Sequence, residues 1–223
     1  MKPNFFDRFL DLKYYDMNYR LFIPSGKCNT LILHLHGSAG RGNDNIKNLN
    51  YMDQNAFHTI VNENLSFILV PQVPENHKFF DITWDQVIYN QNNIKFEGYI
   101  RLTLELLKET IQKYDIKKVY VEGYSMGGFT AFEIATRHPE LFDGILAICG
   151  GVPLDKLDKI KDKKIIIVHG SDDHVVNKKG SIEAYNKLIK LKSNVRLYII
   201  NNCKHDSWNF VYNNQNFLKN FIK

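Results

Sequence analysis

The run Lys118-Val119-Tyr120-Val121-Glu122-Gly123 alternates like a strand, and two residues after its glycine stands Ser125. Met126 and the pair Gly127-Gly128 follow. Phe129, Phe132, Ile134 and Ala135 then recur at helical spacing. A strand that must turn into a helix within two residues needs a tight bend. Small neighbours let the backbone close without side-chain collisions. The serine hydroxyl is held clear of the sheet, and N–H groups at the start of the helix point to where negative charge could form beside it. A glycine-x-serine-x-glycine sequence also arises by chance, so its weight here rests on the flanking strand and helix and on partners further along.

The rest of the chain repeats that grammar. Residues 14–23 alternate loosely and read as an edge strand or half of a hairpin, closed by Pro24-Ser25-Gly26. Residues 29–36 form an almost unbroken apolar run of the kind buried on both faces of a parallel sheet. It opens into a glycine-rich loop, His36-Gly37-Ser38-Ala39-Gly40-Arg41-Gly42. A weakly helical segment is expected over 46–61. A strand over 65–70 should stop at Pro71, and an irregular aromatic-rich excursion runs from 75 to 93. Helical spacing returns over 98–114, before the serine strand. Strands are expected over 144–149, 164–168 and 195–200, with a helix over 181–190 and a closing helix over 208–221. Strands alternating with helices predict an α/β fold, a mostly parallel central sheet with helices on both faces. At 223 residues the chain is expected to form a single domain, 1–223.

In such a sheet, loops at the carboxyl ends of the strands converge on one rim. That places Ser125, the Asp172-Asp173 turn and His205 together. A serine hydroxyl needs a base, best a histidine, and the histidine needs an acid on its far nitrogen. The order serine, acid, histidine fits this chemistry. Asp172 and Asp173 share one turn, and spacing does not choose between them. Asp206 adjoins His205 and reads as a loop group. The N–H of Met126 is one expected oxyanion donor; the second should come from the glycine-rich loop, Ser38 or, failing that, Ala39. Arg41 and Asp44 are placed to tie that loop down as an ion pair. His34 reads as a satisfied core residue; His36 and His169 as hydrogen-bonding residues that shape their loops.

Composition excludes more than it assigns. An apolar fraction of 44% with 13% aromatics argues against disorder. The charge of +5 is scattered, and Lys161-Asp162-Lys163-Lys164 reads as a solvated loop edge, so no nucleic-acid partner is expected. Cys28, Cys149 and Cys203 show no paired spacing, and the eight histidines form no metal motif, so neither metal nor cofactor is expected. No stretch has the length of a membrane span or a signal peptide's apolar core, which makes cytoplasmic the expected location.

With Ser125, an acid at 172–173 and His205 in hand, the chain resembles the α/β-hydrolase superfamily, and within it the small carboxylesterases, feruloyl-esterase-like and peptidase-like proteins. The resemblance runs from about Tyr19 to the end. It rests on the loop at 35–45, Val70-Pro71-Gln72, Trp84, Gly123-Tyr124-Ser125-Met126-Gly127-Gly128, His169-Gly170-Ser171-Asp172-Asp173-His174-Val175-Val176, and Cys203 to Tyr212. It implies Asp173 as the acid, an α/β-hydrolase fold without a large lid, and acyl transfer to water by a serine esterase. Two departures are visible: Asn177 where many relatives have proline, and Ala39-Gly40 in place of a glycine-first loop. The expected substrate is an ester with a small or medium acyl group, in an open cleft under a rim of Phe79, Phe80, Trp84 and Trp208. A peptidase or thioesterase with the same triad, or a non-catalytic interaction protein on this fold, are the competing readings.

Overall fold

Runs such as residues 31–33, 67–70, 145–148 and 165–168 have no polar face, so both sides must be covered. A computed structural model, describing residues 4–223, stacks them at the centre of one eight-stranded sheet. In chain order the elements are β1 (Phe9–Tyr14), β2 (Met17–Phe22), β3 (Thr30–Leu35), α1 (Asn55–Asn62), β4 (Phe67–Gln72), β5 (Ile88–Tyr89) and α2 (Tyr99–Tyr114). There follow β6 (Lys118–Tyr124), α3 (Met126–Arg137), β7 (Gly144–Ile148), β8 (Val152–Pro153), β9 (Lys164–Gly170), α4 (Lys179–Lys190), β10 (Val195–Ile200), α5 (Trp208–Tyr212) and α6 (Phe217–Phe221). The main sheet runs β1-β2-β4-β3-β6-β7-β9-β10. The pairs β1–β2 and β2–β4 are antiparallel and the remaining pairs parallel. Strands β5 and β8 form a separate parallel pair.

Because successive strand side chains point to opposite faces, each central strand feeds two cores. Leu31, Leu33, Val119, Val121, Ile145 and Ile165 pack with α2, α3 and α4. Ile32, Tyr120, Leu146 and Ile166 pack with α1, α5 and α6 on the other side. The fold is an α/β sheet covered on both faces, with no large lid over its rim.

The strand at 14–23 is half of a hairpin, as expected, and its other arm, β1, hides its pattern behind exposed Leu10 and Asp11. Three expectations change. Pro71 does not end β4: it pairs with Tyr19 of β2, beyond the last β3 partner, Leu69, where no ladder bond on that side is lost. The segment 46–61 is helical only over α1, preceded by a single turn at Lys47–Leu49. The closing helix is two short ones, because Asn213, Asn214 and Asn216 intervene and the Asn214 side chain accepts from Asn216 N–H.

Candidate active site

Ser125 joins β6 to α3 at φ 54° and ψ −119°, a left-handed conformation that a residue with a Cβ adopts only when its surroundings enforce it. Its N–H is tied to the carbonyl of Ile148 on β7 (2.9 Å), and its carbonyl accepts from Phe129 N–H (3.1 Å). The bend closes because Gly127 lies directly against the carbonyl of Leu35; an added Cβ there would overlap main-chain atoms of β3 that cannot move aside. Gly127→Ala should therefore lose at least about 1–3 kcal/mol of stability, the usual cost of overpacking. Urea denaturation measures this, and an unchanged midpoint would contradict the described packing.

The rim gathers the three residues singled out by sequence. Ser125 Oγ lies 2.8 Å from His205 Nε2. His205 Nδ1 lies 2.7 Å from Asp173 Oδ2. A carboxylate only accepts, so Nδ1 carries the imidazole proton and Nε2 is left to accept from the serine hydroxyl. Asp172 turns outward and accepts from Ser171 Oγ. Asp206 is exposed and accepts from Asn209.

Asp173 is held from three further directions. Its Oδ1 accepts the N–H groups of Val175 and Val176, each at 2.9 Å. His169 Nε2 approaches Oδ2 at 3.2 Å and the carbonyl of Val176 at 2.9 Å. Both are acceptors, so that nitrogen carries the proton, while His169 Nδ1 accepts from the Ser181 hydroxyl at 2.7 Å. Burial pushes the Asp173 carboxyl up, but the bonds from His169, His205 and Val176 outweigh it and hold it well below the usual carboxylate range. Asn177 Oδ1 accepts from Lys179 N–H at the start of α4.

The glycine-rich loop sits beside the elbow, with Gly37 packed so closely on the Tyr124 ring that a Cβ would strike it. Buried His36 donates from Nδ1 to the Gly37 carbonyl (2.7 Å) and accepts Val73 N–H at Nε2 (3.1 Å). Burial pulls its pKa down to about 3 and keeps it neutral, and these two hydrogen bonds fix that tautomer. Arg41 and Asp44 do not pair. Arg41 Nε donates to the Ser38 carbonyl, and Asp44 accepts from Gln72 Nε2 and from the N–H groups of Ile46 and Lys47. A glycine-rich loop leaves its own main-chain groups unpaired, and these side chains take them up instead of pairing with each other. Ser38 and Met126 each begin a helical turn, so neither N–H has an intrahelical acceptor.

The expected aromatic rim is only half present. Phe79 is fully buried against His36, with ring centroids 5.2 Å apart, and Phe80 is buried against Tyr89. Both are core residues beneath the excursion, because a segment with so little regular structure anchors itself by burying its rings. Trp84 is half-buried between Phe129 and Lys78. Trp208 stands edge-on to His205 at 5.6 Å and packs on Tyr124 and Tyr51.

A second buried cluster supports the site. Glu122, three residues before Ser125, pairs with His34 Nδ1 of β3 and accepts from Tyr212 OH of α5 at 2.9 Å. It thereby joins the strand leading to the serine, the strand leading to the Ser38 loop and the helix that follows His205. His34 is only partly satisfied, since its Nε2 has no partner among the described residues. The signal for Glu122 lay in the sequence: an acid inside a strand buried on both faces must find partners.

The phospholipase/carboxylesterase family model matches residues 20–223, and the chain belongs to that family. A thermostable esterase superposes with a TM-score of 0.81 at 25% identity over 97% of this chain, which spans 63% of that esterase's length. S-formylglutathione hydrolases from Staphylococcus aureus and Agrobacterium tumefaciens superpose with TM-scores of 0.69 and 0.65 at 16% and 14% identity. Each comparison covers 96% of this chain, and 98% and 95% of the respective hydrolase; likeness at that identity is one of fold. No curated protein matches the chain. The fold is that of an α/β-hydrolase.

Proposed function

We propose that this chain is a serine esterase that hydrolyses carboxylic esters of small or medium acyl groups. The observation that carries the reading is the unbroken hydrogen-bond chain from Asp173 through His205 to Ser125 Oγ on a left-handed bend. In the first step Ser125 Oγ attacks the ester carbonyl as His205 Nε2 takes its proton. The negative oxygen lies against the N–H groups of Met126 and Ser38. Collapse of this intermediate expels the alcohol, which leaves with the proton from His205. Water then attacks the acyl-serine, again losing its proton to His205, and the acid departs as Ser125 recovers its hydrogen.

Trp208, edge-on to His205, and Trp84 are the aromatic groups assigned to substrate contact. The absence of a large lid supports a small or medium acyl group over a long lipid chain. A thioester or peptide would meet the same triad, so rates on matched ester, thioester and amide substrates decide the class. The three cysteines are unpaired, which supports a reducing, cytoplasmic location; among the described residues no helix is long and apolar enough to cross a membrane.

A fluorophosphonate probe tests the core of the reading without the natural substrate. Wild-type protein should be labelled stoichiometrically, with the modified peptide mapping to Ser125. Failure to label folded protein, or a label on another residue, would remove Ser125 as the nucleophile.

A further inference from the structure

Histidine spacing along the sequence gives no metal motif, yet the fold assembles a soft-metal ligand set behind the candidate base. Cys149 directly follows β7, with φ 41°, and is fully buried. Its Sγ, a carboxylate oxygen of Asp173 and a ring nitrogen of His205 all lie within 4.8 Å of one another. Independently, the buried Ser207 hydroxyl faces the Cys149 thiol and has no hydrogen-bond partner among the described residues. A tetrahedral zinc site with one sulfur, one nitrogen and one oxygen ligand holds those atoms about 3.3–3.8 Å apart. To meet that spacing the 2.7 Å His205–Asp173 pair would open by about 1 Å, and the sulfur, within 4.8 Å of both, would close by up to about 1 Å.

We propose that Cys149, Asp173 and His205 bind a thiophilic divalent cation such as Zn²⁺ or Cd²⁺, and that its binding switches off the site. Thiolate, imidazole and carboxylate together favour these ions over Mg²⁺ or Ca²⁺, which take oxygen ligands. Binding is not a redox step. The Cys149 thiol gives up its proton to solvent, and the sulfur's electron pair goes to the metal. The imidazole keeps one proton but must shift it from Nδ1, now a ligand, to Nε2. There it points at Ser125 Oγ, so the nitrogen that accepted the serine proton becomes a donor and the attack cannot start. The Ser207 hydroxyl, which faces the sulfur, is the outer partner that a bound sulfur requires. The cation enters from the side of His205, whose side chain is 20% exposed.

The inhibition rests on the esterase reading; the binding does not, and the experiment separates them. In a Cys28→Ser/Cys203→Ser background, Zn²⁺ should abolish ester turnover at concentrations where Mg²⁺ and Ca²⁺ do nothing, with recovery on adding EDTA. Cys149→Ala should keep its basal turnover. Loss of even an outer partner weakens metal binding by about 10–100-fold, so loss of the thiolate should raise the inhibitory concentration at least as much. In Ser125→Ala protein, which needs no activity, Cd²⁺ should raise an ultraviolet thiolate charge-transfer band that saturates at one ion per chain and is missing when Cys149 is also replaced. Equal inhibition of Cys149→Ala and its parent, or no such band, overturns the site. A band without any ester turnover keeps the site and overturns the esterase reading. Should Cys149→Ala fold poorly, Cys149→Ser serves in the same comparison.

Discussion

Turnover of a short p-nitrophenyl ester falls by about 10⁴- to 10⁶-fold in Ser125→Ala, to the level left by binding and oxyanion contacts alone. The size of the loss follows from the geometry. His205 Nε2 has one hydroxyl to activate, at 2.8 Å. KM should change little, because a hydroxyl replaced by hydrogen leaves Trp208 in place beside His205. Alanine has the same Cβ that Ser125 already carries at its positive φ, so the urea midpoint should stay near that of the parent. A variant that keeps more than about one per cent of parental kcat would place the nucleophile elsewhere.

Much of this arrangement was legible because it depends on strand ends. Apolar runs at 31–33, 119–121 and 165–168 can only be central strands, and once they are parallel their loops must share a rim. Ser125, Asp173 and His205 therefore meet although they are far apart in sequence. What escaped the sequence depends on which surface a side chain finds rather than on its own chemistry. An aromatic cluster in an irregular segment looks the same in sequence whether it lines a cleft or anchors the segment, and Phe79 and Phe80 anchor it. The role of His169 at Asp173 was also hidden, since only the turn at 173–176 brings its Nε2 round to the carboxylate. The break between α5 and α6 was written in the asparagines at 213, 214 and 216, but the aromatic spacing on either side outweighed them. Cys149 had no neighbour in sequence to suggest that it stands behind the base.

Asp173→Asn should lower kcat by about 10⁴-fold while leaving the fold intact. An asparagine amide facing His205 Nδ1 can donate as well as accept. When it donates, the imidazole proton moves to Nε2, and the nitrogen facing Ser125 no longer accepts. The N–H groups of Val175 and Val176 sharpen the effect: they require an acceptor at the Oδ1 position, which places the NH₂ end of an asparagine at the Oδ2 position, facing His205. The same carboxylate also ties stability to pH. Its folded-state pKa lies below that of the unfolded chain, so the ionised form favours folding. That contribution is fully present above the unfolded value of about 3.9 and is lost as pH falls through the depressed folded value. The gap in urea midpoint between parent and Asp173→Asn should thus be widest near neutral pH and narrow below about pH 4. A gap that stayed constant or widened in acid would mean that hydrogen bonds from His169, His205 and Val176 do not hold this carboxyl ionised. The tautomer argument for the kcat loss would then lose its footing as well.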